Sequence, residues 1–166
     1  MVTLLRRFLP ALAVAGLLLL VYGQLFPNEN RRIRRLLNHV ATAASIPARP
    51  TPAQMILSLD RLQGCFSPGV VVVLEVPAEG QRTFRGRAEL MESVKAAWAY
   101  RRSVKVEFLD IDVKLDPAKE SATADVTARA TQPGDRDFFV QEFRIRLRKQ
   151  SEDWRITRVE SVRVLR

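Results

Sequence analysis

Four long segments in the C-terminal half of the chain have the two-residue periodicity of β-strands, and this pattern constrains the fold more than any other feature of the sequence. The segments cover residues 104–115, 122–131, 138–149 and 154–164, and short links rich in turn-forming residues join them. In the second segment Val126 and neighbouring alanines alternate with polar residues, so one face of that strand is apolar and small. Strands joined by short links pair antiparallel. We therefore predict an antiparallel sheet with one face against a core.

The apolar positions change parity within two of these segments. In the first, the apolar set that ends at Phe108 gives way to a set that begins at Leu109. In the last, the set that ends at Ile156 gives way to Val159. A β-bulge adds one residue to a strand, shifts its alternation and bends it. The sequence therefore predicts two bulges and a strongly curved sheet.

Three amphipathic helices and a short hairpin precede these strands. The helices are predicted over residues 29–45, 51–64 and 88–101, and the hairpin strands over residues 70–76 and 82–85. Thr51, Pro52 and Gln54 have the pattern of a capping box that opens the second helix. We predict an α+β fold with the three helices packed in the concave face of a mainly antiparallel sheet. The helical residues expected to face that sheet are Ile33, Leu36, Leu37, Val40, Ala41, Ala44, Met55, Ile56, Leu59, Leu62, Leu90, Val94, Ala97 and Trp98.

An uncharged, leucine-rich segment of residues 8–26 precedes the predicted domain. A membrane-spanning helix needs roughly 17–25 apolar residues, so this segment reaches the lower end of that range. It fits either an uncleaved signal anchor or a signal peptide with the small residues Val21 and Gly23 before the cut. Tyr22 lies between them and no Ala-x-Ala pattern is present, which favours the anchor. We therefore expect a transmembrane anchor in residues 1–27 and one folded domain in residues 28–166.

Arginines flank the apolar segment on both sides, so charge alone does not set its orientation. Arg6 and Arg7 precede it, and further arginines follow it at positions 31, 32, 34 and 35. A short tail before an N-terminal apolar segment is typical of a secretion signal. We therefore expect a single-pass membrane protein whose domain lies on the extracytoplasmic, periplasmic side.

The chain has one cysteine and one histidine, which limits the chemistry it can support. Cys65 cannot form a disulfide within the chain, and a cysteine-based zinc site would need further cysteine ligands. We expect Cys65 to be a small buried residue, and His39, on a different predicted helix, to lie at the boundary of the apolar face. The pattern predicts no metal site and no cofactor.

Two stretches and the order of the elements are similar to a known superfamily. The stretches are the start of the third helix at residues 86–90, Gly-Arg-Ala-Glu-Leu, and the closing strand at residues 154–160, Trp-Arg-Ile-Thr-Arg-Val-Glu. With two helices, a hairpin, a third helix and four strands, residues 29–165 resemble the nuclear transport factor 2-like superfamily, which includes ketosteroid isomerase-type and SnoaL-type domains. The resemblance implies a cone with a pocket between sheet and helices. It implies no single activity, because some members isomerise or cyclise small molecules, some bind proteins and some are accessory domains.

The enzymes of this superfamily use a pocket acid that apolar surroundings make more basic. Gln141 lies on the apolar side of its strand between Phe139 and Phe143, where it would bond either a ligand or the backbone at the sheet rim. Asp60 and Tyr100 are candidates for a pocket acid and an oxyanion donor, or else a solvated edge residue and an amphipathic helix end. The candidate pocket residues are Gln141, Tyr100, Asp60, Phe139, Phe143 and Trp98.

The formal net charge of +9 favours anionic partners. Arg144, Arg146 and Arg148 share one face of a strand, opposite its apolar face, and Arg155 lies on the neighbouring strand. The interpretation we favour for this face is a plain solvated surface on which acidic residues break up the charge. The functional alternative is that these four arginines contact anionic lipid. Nucleic acid is not expected as a partner, because Phe138 alone offers a ring for base stacking.

The sequence thus predicts a membrane-tethered, non-catalytic binding or accessory domain, with a pocket or sheet face for a protein partner, a second copy of the chain or a small ligand. The alternative is an isomerase- or cyclase-like enzyme that uses a pocket acid. No catalytic residue is assigned, because the candidates do not converge on an acid–base pair. Asp110 and Asp112 follow the parity switch and are expected to face away from the pocket.

Overall fold

Three helices and six strands follow one another in the predicted order in the computed structural model, which describes residues 29–76, 80–100, 103–132 and 138–162. The second helix begins with the predicted capping box, in which the Thr51 hydroxyl accepts from the Gln54 backbone and the Gln54 side chain accepts from the Thr51 backbone. The elements are α1 (Glu29–Ala44), α2 (Pro52–Cys65), β1 (Phe66–Val76), β2 (Gly80–Arg85), α3 (Arg87–Tyr100), β3 (Lys105–Leu115), β4 (Ser121–Thr131), β5 (Phe138–Gln150) and β6 (Asp153–Val162).

The strands form one curved sheet in the order β2-β1-β6-β5-β4-β3. All neighbours pair antiparallel except β1 and β6, which run parallel. That parallel pair joins the early hairpin to the four later strands, so a single sheet contains both. The α+β fold class with three helices and a curved, mainly antiparallel sheet is therefore confirmed.

Both predicted bulges are present. The register between β3 and β4 shifts between Phe108 and Asp110, which leaves Leu109 unpaired and 52% exposed. The register between β5 and β6 shifts next to Arg146 and leaves Thr157 unpaired, where its hydroxyl donates to the Arg146 carbonyl at 3.1 Å. A further irregularity, between Phe66 and Val71 in the β1–β6 pair, has no counterpart among the predictions from the sequence.

The core lies between α1 and the apolar face of the sheet. Ile33 and Leu37 of α1 are fully buried, as are Val70 of β1 and Leu147 and Ile156 of the later strands. Ala122, Ala124 and Val126 of β4 are buried in the same cluster, as their alternation predicted. Apolar periodicity along α1 and along the strands therefore identified the core correctly.

The prediction of which residues of α2 and α3 face the core is correct for only half of each helix. In α2 the buried residues are Leu62 and Cys65, near its end, whereas Ile56 is 71% exposed. In α3 the buried residues lie near its start, and Ala97 is exposed. The first half of α2 and the second half of α3 thus extend away from the core, so a helix-spaced apolar pattern there does not produce burial.

Polar contacts fasten the start of α1 to the hairpin of β5 and β6. Trp154 Nε1 donates to Glu29 Oε2 at 2.6 Å, and Lys149 Nζ and Arg32 Nη1 lie 3.5 and 3.4 Å from Glu29 Oε1. Arg32 Nη2 also donates to the Glu152 carbonyl at 2.5 Å. Burial alone would raise the pKa of Glu29, but the Trp154 hydrogen bond and the two cations outweigh burial and hold it below its ordinary value. We call this region the closed end.

None of the helices in the described parts of the chain is long and apolar enough to cross a membrane. The predicted anchor in residues 8–26, and the boundary between the two predicted regions, lie outside the described residues and stay predictions.

Candidate functional site

A cleft lies at the far end of α1 from the closed end. Its volume is about 440 Å³, within the usual range for sites that bind small molecules. It forms where the ends of α1, α3 and β4 meet the starts of β3 and β5. We call it the mouth cleft, and its lining residues are Ala44, Ile46, Ala97, Trp98, Val104, Ala130, Thr131, Gln132, Phe138 and Phe139.

Backbone pairing holds the two sides of the mouth cleft in place. Ile46, just after α1, and Val104, just before β3, exchange hydrogen bonds of 2.7 and 3.0 Å. Ser45 Oγ accepts from the Val106 backbone at 2.9 Å, which adds a second tie between the same two segments. The end of α1 is therefore fixed to the sheet beside the cleft, and the cleft does not depend on one mobile side chain.

The surface of the mouth cleft is apolar and partly uncovered. Phe138 is 65% exposed and Phe139 is 50% exposed, and Val140 beside them is also exposed. Thr131, Gln132 and the indole N–H of Trp98 are the polar side-chain groups among the described lining residues, and none of those residues ionises near neutral pH. Adjacent exposed apolar side chains of this kind mark binding grooves in folded proteins.

Two of the six candidate pocket residues, Trp98 and Phe139, line the mouth cleft. Gln141 does not reach it as a free amide, because its Nε2 donates to the carbonyls of Val162 at 2.9 Å and of Glu142 at 3.1 Å. Of the two alternatives predicted for Gln141, the structure shows the one in which its side chain bonds to the backbone.

The other three candidates lie outside the mouth cleft. Phe143 packs against the hydrophobic core. Asp60 is exposed on α2, and Tyr100 is 90% exposed at the end of α3, where the helix has left the core. The structure therefore places neither Asp60 nor Tyr100 in the lining of the mouth cleft. Asp110 and Asp112 are exposed and face away from the core, as the bulge at Leu109 predicted.

A second cleft, of about 350 Å³, lies at the closed end between α1, α2 and β6. The predictions from the sequence did not include this cleft. Arg32, Leu36 and His39 recur along one face of α1, a spacing that could have indicated one wall. We call it the basic cleft, and its lining residues are Arg32, Leu36, His39, Arg61, Gly64, Cys65, Asp153, Trp154 and Arg155.

Cys65 is a buried thiol in the wall of the basic cleft. Its Sγ donates to the Arg61 carbonyl at 3.3 Å. Burial raises the pKa of Cys65, and the charge of Arg155 offsets that only in part. His39 lines the same cleft although it lies on another helix, but no hydrogen bond joins it to Cys65 in the described part of the chain. The prediction of a small buried cysteine is therefore confirmed, and the protonated thiol is a poor nucleophile.

The four predicted anion-contacting arginines fall into two groups. Arg144 Nε donates to Asp125 Oδ1 at 2.8 Å, which raises the pKa of Arg144. Arg146 lies 3.8 Å from Glu160, which also accepts from Arg158 Nε at 2.7 Å. Acidic residues thus balance the charges of Arg144 and Arg146, which agrees with a solvated face on which acids break up the charge.

Arg148 and Arg155 differ from that pair. They lie directly opposite each other in the β5–β6 ladder. Arg155 is 3.6 Å from Asp153, an ion-pair distance without a hydrogen bond. Arg148 is exposed and has no ion pair with any described residue. Positive charge therefore accumulates at the edge of the basic cleft.

No group of histidine, cysteine, aspartate and glutamate side chains within the described ranges could hold a metal ion.

No family model matches the sequence, and no curated protein is similar to it. Solved structures are similar in fold. A domain of unknown function with a cystatin-like fold from Nostoc punctiforme has a TM-score of 0.64 at 17% identity, over 85% of this chain and 80% of that chain. A nuclear transport factor 2-like protein of unknown function from Pseudomonas putida has a TM-score of 0.63 at 12% identity, over 81% and 85% of the two chains.

The chain has the nuclear transport factor 2-like fold. A proposed scytalone dehydratase from Novosphingobium aromaticivorans shares it, with a TM-score of 0.61 at 14% identity over 82% of this chain and 85% of that chain. At such identities the likeness establishes the nuclear transport factor 2-like fold and carries no activity across. The superfamily resemblance noted in the sequence is therefore supported at the level of the fold.

Proposed function

We propose that this protein is a membrane-tethered, non-catalytic binding domain whose mouth cleft receives an apolar small molecule or an apolar side chain of a protein partner. The observation that carries the proposal is the lining of that cleft. It combines Trp98 with two half-exposed phenylalanines, Phe138 and Phe139, and the described lining contains no ionisable group.

Burial of the exposed rings supplies a sufficient driving force for such binding. Covering roughly 100 Å² of each phenylalanine is worth about 2–3 kcal/mol per ring. Part of that gain offsets the loss of translational and rotational freedom on association. Because consecutive strand residues point to opposite faces of the sheet, the ring of Phe139 on the inner face and Trp98 at the cleft wall are the main contact surface, and Phe138 borders the cleft from the other face.

The lining also favours binding over the enzymatic alternative. An isomerase- or cyclase-like reaction needs an acid or base within hydrogen-bond reach of the substrate. The described lining offers a hydroxyl and an amide, Thr131 and Gln132, which orient ligands but do not exchange protons at neutral pH. Gln141, the polar candidate on the inner face of β5, already donates to two backbone carbonyls.

The position of the mouth cleft agrees with a tether at the other end of the domain. The apolar segment ends two residues before α1, and α1 starts at the closed end. A helix of 16 residues is about 24 Å long. With α1 along the bilayer normal, a domain held by residues 8–26 would present the mouth cleft about that distance farther from the bilayer, where a ligand or partner can reach it.

Ligand binding is tested with the full chain in lipid nanodiscs and the uncharged dye N-phenyl-1-naphthylamine. We expect the dye to quench tryptophan emission in a saturable way, because Trp98 lines the cleft. Phe139→Ser should weaken binding about thirtyfold, from about 2 kcal/mol of lost apolar contact. Leu109→Ser is the matched control, since Leu109 has the same degree of exposure but lies outside the cleft. Equal dye affinity in the two variants would contradict the proposed binding site.

The tether is tested separately by alkaline carbonate extraction of membranes that contain the full chain. We expect the wild-type protein to stay in the membrane pellet. Leu18→Arg places a charge in the middle of the apolar segment, at a cost of about 2.5–3.5 kcal/mol for insertion, and should release protein to the supernatant. Leu18→Ala should behave as wild type. Complete extraction of the wild-type chain would rule out the anchor.

A further inference from the structure

We propose that the basic cleft is a binding site for a phosphate group, in which Arg61 and Arg155 are the principal ligands. This site lies at the closed end and is distinct from the mouth cleft. The proposal rests on the convergence of arginines from three elements and on the shortage of acids to balance them.

The two principal arginines come together although they are far apart in the sequence. Arg61 and Gly64 are three residues apart on α2 and therefore lie on neighbouring positions of one face. A Cβ at Gly64 would lie 4.0 Å from Arg155 Nη1, so the guanidinium of Arg155 reaches over the end of α2. Arg32 of α1 lines the same cleft from the third side.

The arginines of the basic cleft are less well balanced by acids than those elsewhere on the sheet. Arg61 has no ion pair with any residue of the described ranges. Arg155 has only the exposed Asp153 at 3.6 Å. Glu29, which faces Arg32, is shared with Lys149. The cleft therefore has an excess of positive charge.

The register between β5 and β6 places one more arginine beside the basic cleft, and this placement lowers the stability of the fold. Arg148 stands directly opposite Arg155 in the β5–β6 ladder, and like charges in that position are destabilising. By contrast, the equivalent pair one step along, Arg146 and Arg158, has Glu160 in contact with both members. Fold stability therefore does not account for the placement of Arg148 opposite Arg155, whereas an anionic ligand would relieve their repulsion.

Phosphate fits this arrangement better than a single carboxylate does. A guanidinium donates two parallel hydrogen bonds to phosphate oxygens, and arginines from separate directions can each do so with one tetrahedral group. The Cys65 thiol in the wall is uncharged and does not repel an anion. The phosphate could belong to a soluble phosphate ester or to the headgroup of an acidic phospholipid, since the cleft lies beside the start of α1 and thus near the proposed tether.

The proposal is tested with inorganic phosphate, titrated into the full chain in an uncharged detergent at constant ionic strength. The chain has two tryptophans, so Trp98→Phe leaves Trp154, which lines the basic cleft, as the fluorescent reporter. In that background we expect a saturable response to phosphate that chloride does not produce. Arg61→Gln and Arg155→Gln should each weaken it about tenfold, because each removes charge-assisted hydrogen bonds.

Arg49→Gln is the matched control, since it removes the same charge from an exposed residue in the loop at the other end of α1. It should bind phosphate as the parent does. Arg61 is exposed, and equal thermal unfolding of Arg61→Gln and Arg49→Gln would show that the fold is retained. Equal phosphate affinity in the Arg61, Arg155 and Arg49 variants would overturn the proposal, as would a response that chloride reproduces.

A second arm identifies the source of the phosphate group. The same reporter chain is placed in phosphatidylcholine vesicles with or without phosphatidic acid as a minor component, and glycerol 3-phosphate is titrated into the detergent sample. A change of Trp154 emission with phosphatidic acid, lost in Arg61→Gln, supports a lipid headgroup. A response to glycerol 3-phosphate, with no effect of phosphatidic acid, supports a soluble ester. Failure of both probes would contradict the site.

Discussion

The two ends of α1 differ in how much of their surroundings is buried and paired: the start of the helix has many polar partners, whereas exposed rings lie near its end. At the closed end Glu29 is held by Trp154, Lys149 and Arg32, and the adjoining core residues are fully buried. At the mouth the rings of Phe138 and Phe139 are about half exposed, and backbone hydrogen bonds between Ile46 and Val104 hold the end of α1 to the sheet. The start of α1 is therefore held in place by side-chain contacts, while the mouth keeps apolar surface available for an apolar ligand.

Two residues on the same face of β5 give the largest expected contrast between these ends. Leu147 is 1% exposed in the core, whereas Phe139 is 50% exposed at the mouth. Leu147→Ala should lower the free energy of unfolding by about 2–5 kcal/mol, because it leaves a cavity. Phe139→Ala should lower it by less than about 1 kcal/mol. Urea unfolding of the two variants measures both values, and similar losses would break the distinction between the ends.

Glu29→Gln should have an intermediate effect that depends on pH. It keeps a partner for Trp154 but loses the charge beside Lys149 and Arg32, at a cost of about 1–2 kcal/mol at neutral pH. The pKa of Glu29 in the folded protein lies below its ordinary value of 4.5. The charged form thus stabilises the fold above that value, and this contribution is lost as the pH falls through the lower folded pKa.

Unfolding by urea at a series of pH values from neutral to acidic measures this contribution. The wild-type chain should approach the stability of Glu29→Gln at the acidic end of the series. A constant difference between the two chains across the series would show that the carboxylate charge is not what fastens the start of α1.

The smallest expected effect concerns the two groups of arginines on the outer sheet face. Arg148→Thr removes the charge opposite Arg155 and should stabilise the fold by roughly a few tenths of a kcal/mol, less at high salt. Arg144→Thr removes one of the two cationic partners of Asp125 and should not stabilise the fold. Thermal unfolding at low and high salt compares the two, and equal shifts would mean that Arg148 and Arg155 do not repel each other.

Much of the fold could be predicted from the sequence because its signals are local. The parity switches at Leu109 and after Ile156 reflect single extra residues, and the structure has a bulge at each place. The capping box at Thr51 is likewise a contact between close neighbours. Ile56 was placed wrongly because helical spacing states which residues share a face, not whether that part of the helix reaches the core.

The clefts were harder to predict because they join residues from distant parts of the chain. Trp98 and Phe139 were expected to be inward-facing, but their meeting at the mouth depends on where α3 leaves the core. Arg61 and Arg155 are brought together by the parallel pairing of β1 and β6, which the sequence pattern did not indicate. Arg144 forms an ion pair with Asp125 on the neighbouring strand, so its charge is already balanced and is less available to a ligand.

The central claim, that the mouth cleft binds an apolar ligand or partner, is tested most directly by site-specific photocrosslinking in cells that express the full chain. The photoreactive residue p-benzoylphenylalanine replaces Phe138 in the mouth or Leu109 at the bulge, both exposed positions. Mass spectrometry should find one discrete adduct from position 138 and none of that mass from position 109. The same adduct from both positions, or none from position 138, would contradict the account.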